Sequence, residues 1–129
     1  MAKSEARVQQ DIRLAGTLTG TTLLRNNVGV LKDARGVPVR YGLANESKEE
    51  NARIKSHDLI GWTEVTITPD MVGQTVAVFT SVEVKAELWT CRDREREIAQ
   101  AKWGDLVLKS GGYAGFASNV HTFMEIVRR

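Results

Sequence analysis

The sequence has little of several features that would assign a protein quickly to a class. It holds one cysteine, Cys91, which cannot form an internal disulfide and is interpreted as an ordinary thiol. Its longest strongly apolar stretch, Thr75 to Val82, is far shorter than the roughly 20 residues that cross a bilayer. The first ten residues lack the apolar run of a secretory signal. The sequence therefore predicts an intracellular protein with no membrane span.

A strong charge imbalance is also lacking. The formal net charge is +2, from 18 basic and 16 acidic residues, which is far below the basic excess of a dedicated nucleic-acid coat protein. His57 beside a single Asp gives no zinc-binding spacing, and the other histidine, His121, lies on the predicted closing helix. If DNA is the partner, basic residues must be grouped on one face, with carboxylates gathered where a metal ion can neutralise them.

The size and composition are those of one globular domain. A chain of 129 residues is long enough to bury a core and too short to divide comfortably in two. Apolar residues make up 42% and charged residues 26%, ordinary values for a folded protein. We therefore expect residues 1–129 to form a single domain.

The first half of the chain is predicted to hold a helix, a β-hairpin and a polar loop. Ser4 caps the helix, whose apolar residues recur at helical spacing until Gly16. The β-branched segments Thr21 to Val30 and Val37 to Leu43 flank a turn at residues 33–36. Residues 44–56 are polar and show no period, which predicts a loop.

The second half is predicted to alternate strands and helices. Thr75 to Lys85 is apolar on both faces, as in a central strand covered by helices. The other predicted elements are a strand at 57–62, a helix at 93–110 stopped by Gly111 and Gly112, a strand at 113–117, and a closing helix whose C-terminal dipole suits Arg128 and Arg129. The pattern predicts an α/β fold with the element order αβββαβα.

The tripeptide Glu83-Val84-Lys85 ends the predicted central strand. Residues two apart on a strand point to the same face, so the carboxylate and the ammonium lie side by side. Charged groups near a sheet centre are costly unless they pair, bind a metal or meet a polar substrate. An exposed ion pair at the strand end is the plainer interpretation.

Asp58 begins another short apolar strand and can lie beside Glu83 in a shared sheet. Two carboxylates, a backbone carbonyl such as that of Val84, and a phosphate oxygen would suit Mg²⁺, which prefers oxygen ligands and keeps several waters. The alternative for Asp58 is a turn or strand-start residue satisfied by nearby amides.

Two polar residues lie on the apolar stripes of predicted helices. Glu5 shares a stripe with Val8 and Ile12, and Gln100 shares one with Trp103 and Val107. Both can face a site. Equally, Glu5 can be a residue that the helix dipole favours in a first turn, and Gln100 can lie at the edge of a core stripe.

Taken together, these segments resemble a VRR-NUC domain, of the PD-(D/E)XK nuclease superfamily, which occurs as small stand-alone phage proteins. The resemblance spans nearly the whole chain in family order. The residues that carry it are Ser4-Glu5 with Val8-Gln9, Arg25-Asn26-Asn27-Val28-Gly29, Val39-Arg40-Tyr41-Gly42-Leu43, Ser56-His57-Asp58-Leu59-Ile60-Gly61, Glu83-Val84-Lys85, Gln100 with Trp103, and Gly111-Gly112.

The resemblance implies a restriction-endonuclease-like core, with a central mixed β-sheet flanked by helices. It implies that Asp58 and Glu83 bind Mg²⁺ or Mn²⁺, that Lys85 completes the motif, and that Glu5 and Gln100 line the same site. We expect Mg²⁺- or Mn²⁺-dependent hydrolysis of DNA phosphodiester bonds. Four residues are expected either to contact DNA or to support the fold: Arg25, Asn26, Asn27 and Arg40.

The resemblance to junction resolvases of this superfamily also implies a homodimer acting on branched or four-way-junction DNA, in the cytoplasm of a phage or prophage host. Two departures from the family pattern stand out. Lys55-Ser56-His57 stands where members commonly have a Gly and a small residue before the catalytic Asp, and the segment 86–92 is not assigned to any pattern. Its Trp89 is either a platform for a base or a packed aromatic.

Two other functions share these residues. A DNA-binding phage protein can keep the fold without cleavage, although the joint presence of Asp58, Glu83 and Lys85 argues against it. An RNA nuclease would use the same site.

Overall fold

The computed structural model describes residues 2–90 and 93–127, so the expectations for Cys91, Arg128 and Arg129 lie outside the described residues. The chain divides into two compact units, Met1–Thr63 and Glu64–Arg129. The described residues form a mixed α/β protein with four α-helices and six strands, which confirms the α/β class. None of these helices is long and apolar enough to cross a membrane.

The first unit opens with helix α1 (Glu5–Leu18), which packs against strand β1 (Thr21–Arg25). The Ser4 hydroxyl accepts the Arg7 backbone N–H at 3.2 Å, which confirms the predicted N-cap. Strand β1 pairs antiparallel with β4 (Leu59–Thr63). A Cβ at Gly61 of β4 would collide with the Thr22 carbonyl, so this pairing requires glycine there.

The predicted hairpin is right in its turn and wrong in its first strand. Strands β2 (Gly29–Lys32) and β3 (Pro38–Tyr41) pair around the turn at 33–36, where Gly36 has a φ of +80°. The segment predicted as one strand, Thr21 to Val30, is instead divided after Arg25 between two sheets. A run of β-branched residues favours a strand but does not fix where it changes partner.

The polar segment 44–56 is not a plain loop, and that prediction was wrong. It contains helix α2 (Lys48–Arg53), whose N-cap Ser47 accepts the Glu50 N–H at 3.0 Å. Acidic residues in its first turn and Arg53 in its last suit the helix dipole. This helix depends on its ends rather than on an apolar stripe, so a search for periodicity misses it.

The second unit is a βαβ arrangement followed by a helix. After a 3₁₀ turn at Pro69–Met71, strand β5 (Thr80–Val84) runs parallel to β6 (Tyr113–Ala117), with helix α3 (Arg94–Lys109) between them in sequence. Helix α4 (Val120–Val127) packs on β6. Val107 and Ala117, the buried apolar residues of the described chain, lie in this unit.

The predicted long central strand is shorter than expected. Residues 75–79 are not in a strand, and Val76 is 55% exposed, so two-sided burial fails over that part. The six strands form three two-stranded sheets among the residues described. The predicted element order omits α2 and counts too few strands. A single central sheet of restriction-endonuclease type stays a prediction.

Candidate active site

Glu83 and Lys85 lie at the carboxyl end of the parallel strand β5. Glu83 is in register with Phe116, and the Lys85 backbone N–H donates to the Ala117 carbonyl at 2.8 Å, extending the ladder beyond the strand end. The Glu83 side chain is 38% exposed, whereas that of Lys85 is only 13% exposed. In open α/β sheets, ligands bind outside the carboxyl ends of the strands.

Gln100 of α3 joins these two side chains. Its Nε2 donates to Glu83 Oε1 at 2.8 Å, and its Oε1 accepts from Lys85 Nζ at 2.9 Å. Lys85 Nζ also lies 3.6 Å from Glu83 Oε1. The amide therefore presents its donor to the carboxylate and its acceptor to the ammonium, the only orientation in which both bonds form. The structure thus places Gln100 beside Glu83 and Lys85, and its role in a catalytic site stays a prediction.

Glu97 and Trp89 complete the surroundings of Lys85, and sequence reasoning missed Glu97. Glu97 Oε1 lies 3.6 Å from Lys85 Nζ and accepts the Trp89 indole N–H at 2.7 Å. Lys85 Nζ is 5.3 Å from the ring centroid of Phe116 and 5.7 Å from that of Trp89. Glu97 precedes Gln100 by three residues, a spacing that puts both on one helix face and was the available signal.

Two open cavities adjoin Glu83. One, of about 470 Å³, extends along α3 and β6 past Ser81, Trp103 and Phe116. Trp103 lies where its helical stripe predicted, with its indole N–H donating to Ser81 Oγ at 2.9 Å. The other, of about 480 Å³, is lined by Lys85, Trp89 and Arg96. Glu83 is thus reachable by a ligand from either side.

Asp58 lies in the first unit, directly before β4, with an exposed side chain. Its carbonyl accepts the Asn26 backbone N–H at 2.9 Å. A cavity of about 670 Å³ beside it is lined in part by Arg25, Asn26 and Asn27. Three of the four residues predicted to contact DNA or support the fold therefore adjoin the cavity of the predicted catalytic Asp.

The Asn26 side chain supports the loop before Asp58. Its Nδ2 donates to Ser56 Oγ at 2.7 Å and to the His57 carbonyl at 2.9 Å, and its Oδ1 accepts the Leu43 N–H at 3.2 Å. The residues that depart from the family pattern, Ser56 and His57, are thus held by hydrogen bonds from the end of β1. The geometry supports the interpretation of Asn26 as a structural residue.

Arg40, the fourth of that group, lies elsewhere and also serves the fold. Its guanidinium donates to the Asn45 backbone carbonyl at 3.1 Å and to Asn45 Oδ1 at 2.7 Å. Asn45 is 2% exposed, and its Nδ2 donates to the carbonyls of Gly29 and Tyr41. Arg40 therefore braces the β2–β3 hairpin through a buried amide.

Glu5 is exposed in the first turn of α1, where the helix dipole favours a carboxylate. Glu5 and Asp58 belong to the first unit, and Glu83, Val84, Lys85 and Gln100 to the second. That Asp58 and Glu83 bind one ion, with the Val84 carbonyl, stays a prediction.

The donors of the second unit fit a hard cation only in part. Glu83 Oε2 has no hydrogen bond or ion pair to any described residue, so it can accept a cation, while Gln100 Oε1 is engaged by Lys85. Within residues 2–90 and 93–127, no cluster of three or more His, Cys, Asp or Glu side chains is placed to hold a metal ion. A metal at Glu83 would need further oxygen ligands, as from water or phosphate.

Comparison of the chain with family models, curated proteins and solved structures gives no match. The VRR-NUC resemblance therefore stays a prediction carried by the residues quoted for it.

Proposed function

We propose that this protein is a metal-dependent nuclease that hydrolyses DNA phosphodiester bonds, with Glu83, Lys85 and Gln100 in its active site. The observation that carries the proposal is the hydrogen-bonded chain Glu83–Gln100–Lys85 at the carboxyl end of β5. A plain surface ion pair needs no bridging amide and leaves its cation in water. Here the cation is largely buried and the carboxylate is open to a ligand.

In the proposed hydrolysis, the carboxylates and the lysine have different roles because they carry opposite charges. The Glu83 carboxylate supplies hard oxygen ligands for Mg²⁺ or Mn²⁺, with the Val84 carbonyl as a further candidate, and Asp58 is proposed as a metal ligand on the resemblance alone. Such an ion, when bound, supplies an acidified water and polarises a phosphate oxygen. Lys85, as an ammonium, orients the attacking water and stabilises the negative charge that builds on the phosphorus oxygens, while the proton of that water passes to solvent.

Gln100 keeps the carboxylate and the ammonium in their relative positions. By accepting from Lys85 and donating to Glu83, it fixes both rotamers before substrate arrives. Because these side chains are ordered before substrate binds, less of the binding energy of the substrate is lost in ordering them. Glu5 is proposed, on the resemblance alone, to line the same site.

The proposed substrate is branched or four-way-junction DNA, cut by a homodimer inside a phage or prophage host. This finer part rests on the resemblance. Arg25 and Asn27, exposed beside the cavity at Asp58, are the candidates for contact with the DNA backbone. Asn26 and Arg40 are assigned to the fold by their hydrogen bonds.

A cleavage assay tests the proposal. The purified chain is incubated with labelled duplex, flap, four-way-junction DNA and RNA, each with Mg²⁺, Mn²⁺ or EDTA. We expect metal-dependent cutting of DNA, strongest on a branched substrate, and none in EDTA. Cutting of RNA alone would favour the RNA nuclease, and binding without cutting under every metal condition would favour the non-catalytic DNA-binding protein.

The variant Glu83→Gln locates the activity. It keeps the size of the side chain and removes the charge that holds the ion, so cutting should fall by at least about 100-fold with the fold intact by circular dichroism. Glu87→Gln is the matched control, because Glu87 is an exposed carboxylate four residues further along. An equal rate in both variants would refute the site.

A further inference from the structure

Lys85 is held by a carboxylate that the proposed reaction does not use. The Glu97 side chain is 10% exposed and that of Lys85 13%, so the ion pair between them is largely shielded from water. A first-turn helical carboxylate that served only the dipole of α3 would be solvated, as Glu95 on the same helix is. Glu97 instead points at the ammonium group of the site.

Trp89 fixes the direction of that carboxylate. Its indole N–H donates to Glu97 Oε1, the same oxygen that lies 3.6 Å from Lys85 Nζ. The Trp89 ring also packs edge-on against Phe116, with ring centroids 5.7 Å apart. The ring is thus anchored on β6 while its N–H orients a side chain of α3. Both rings lie within cation–π distance of Lys85 Nζ.

The ammonium is therefore fixed from several directions. Gln100 Oε1 accepts a hydrogen bond from it at 2.9 Å, while Glu83 and Glu97 lie at 3.6 Å. Asp93 and Arg96 line the adjoining cavity, and β6 contributes the uncharged Phe116 and Ala117. Without Glu97, the long lysine side chain would keep only the contacts to Gln100, Glu83 and the rings, and its four-carbon stem would sample more rotamers.

The geometry points to Glu97 as a positioning residue, which with Trp89 fixes the Lys85 ammonium where the reacting phosphate must meet it. This inference rests on the proposed function, since it assigns a second carboxylate to the same lysine. It differs in kind from the role of Glu83, because Glu97 touches neither ion nor substrate and acts through Lys85. A misplacement of about 1 Å at a reacting group can cost a factor of 10² in rate.

Kinetics of Glu97→Gln test the inference, with Glu95→Gln as the matched control on the exposed side of α3. The glutamine keeps the size of the side chain and an acceptor for Trp89 but loses the charge that attracts Lys85. We expect kcat to fall about 10- to 100-fold with KM within twofold, because only the transition-state contact of Lys85 is weakened. Trp89→Phe keeps the ring, loses the N–H, and should lower kcat in the same direction by less.

NMR spectroscopy measures the order of the Lys85 ammonium group without any substrate. In the full chain labelled with ¹⁵N-lysine, an ordered ammonium gives a slowly exchanging signal, assigned by its loss in Lys85→Arg. This signal should be present in the wild type and in Glu95→Gln, and broadened beyond detection in Glu97→Gln. If the wild type cuts no substrate, the proposed function fails while this signal still decides whether Glu97 positions Lys85.

The inference is overturned if folded Glu97→Gln keeps both the wild-type kcat and the Lys85 signal. It is overturned equally if KM rises with kcat unchanged, which would make Glu97 a binding residue. Should Glu97→Gln fail to fold, Trp89→Phe decides by the same two readouts. The inference is supported if a variant with the circular dichroism of the wild type shows both a lower kcat and loss of the Lys85 signal.

Discussion

Among the described residues, three amide side chains act as bridges: Asn26, Asn45 and Gln100. Each offers a carbonyl acceptor and two N–H donors, so one side chain can accept a hydrogen bond from one group and donate to another at the same time. Asn45 joins β2, β3 and Arg40, and Gln100 joins a carboxylate to an ammonium. Substituting any of them leaves several partners unsatisfied, which costs more than the loss of one bond.

Asn26→Ala tests the structural assignment of Asn26. The substitution removes three hydrogen bonds that tie β1 to residues 43, 56 and 57. We expect the free energy of unfolding to fall by about 1–3 kcal/mol, because half-buried polar groups lose their partners. Denaturation in urea measures the change.

The control for this prediction is Asn27→Ala at the neighbouring exposed position, which should change the free energy of unfolding by less than about 0.5 kcal/mol. If Asn26→Ala were as stable as the wild type but bound DNA more weakly, Asn26 would be a DNA contact and the structural assignment would be wrong.

Residue patterns indicated part of the candidate site. The period-2 rule placed Glu83 beside Lys85, and the helical stripe placed Gln100 and Trp103 toward β5. Glu97 escaped notice because an acidic residue in the first turn of a helix is already explained by the dipole. Its partner Trp89 lies in the connection before α3, where no period predicts the direction of a side chain.

At the scale of the element, the β2–β3 turn is built around Asp33. One carboxylate oxygen of Asp33 accepts the backbone N–H groups of Arg35 at 2.8 Å and Val37 at 2.9 Å. The N–H of Gly36 donates to the Asp33 carbonyl at 2.9 Å. Such Asp side chains accept hydrogen bonds from backbone N–H groups that have no partner strand within the turn. The Val37 N–H above all, and then that of Arg35, holds the pKa of Asp33 below its usual value of 3.8.

The lowered pKa predicts a pH dependence of the turn. A carboxyl whose folded pKa lies below its unfolded value stabilises the fold fully above the unfolded pKa, and the contribution disappears as pH falls through the folded pKa. The stability from Asp33 is therefore complete at neutral pH and is lost below about pH 4. We expect the carboxyl carbon of Asp33 to titrate in NMR at a lower pH than in the urea-unfolded chain.

The amide of Val37 supplies the matching readout. Its hydrogen exchange, corrected for intrinsic pH dependence, should lose protection over the same acid range in the wild type and not in Asp33→Asn, which cannot titrate. An Asp33 midpoint equal to or above that of the unfolded chain would contradict the hydrogen-bonded turn.

Helices with clear capping residues or a clear apolar periodicity were predictable from the sequence. The predicted helix at 93–110 matches α3, whose N-cap Asp93 accepts the Arg96 N–H and whose end meets Gly111 at a φ of +93°. Helix α2 was missed because its six residues carry caps and charges but no apolar stripe. The strand at 75–85 was overextended because apolar alternation persists beyond the residues that find a partner strand.

At the scale of the whole molecule, the pairing of strands that are distant in sequence cannot be predicted from local sequence patterns. Strand β1 pairs with β4, aligning Thr21 with Thr63 across more than 40 intervening residues. The sequence around Thr21 favours a strand and carries no signal that chooses β4 over β2, since β-propensity reports a pleated, half-buried surface rather than a partner. The proposed central sheet, homodimer and shared ion are claims of the same kind, and they rest on the family resemblance.

The proposed function depends most on a metal ion bound by the Glu83 carboxylate beside Lys85. Crystals of the full chain grown with Mn²⁺, measured at a wavelength where manganese scatters anomalously, test this directly. We expect an anomalous peak within coordination distance of the Glu83 carboxylate, lost in crystals of Glu83→Gln. A protein that cuts DNA with Mn²⁺ while its anomalous peak lies away from Glu83 would contradict the proposal.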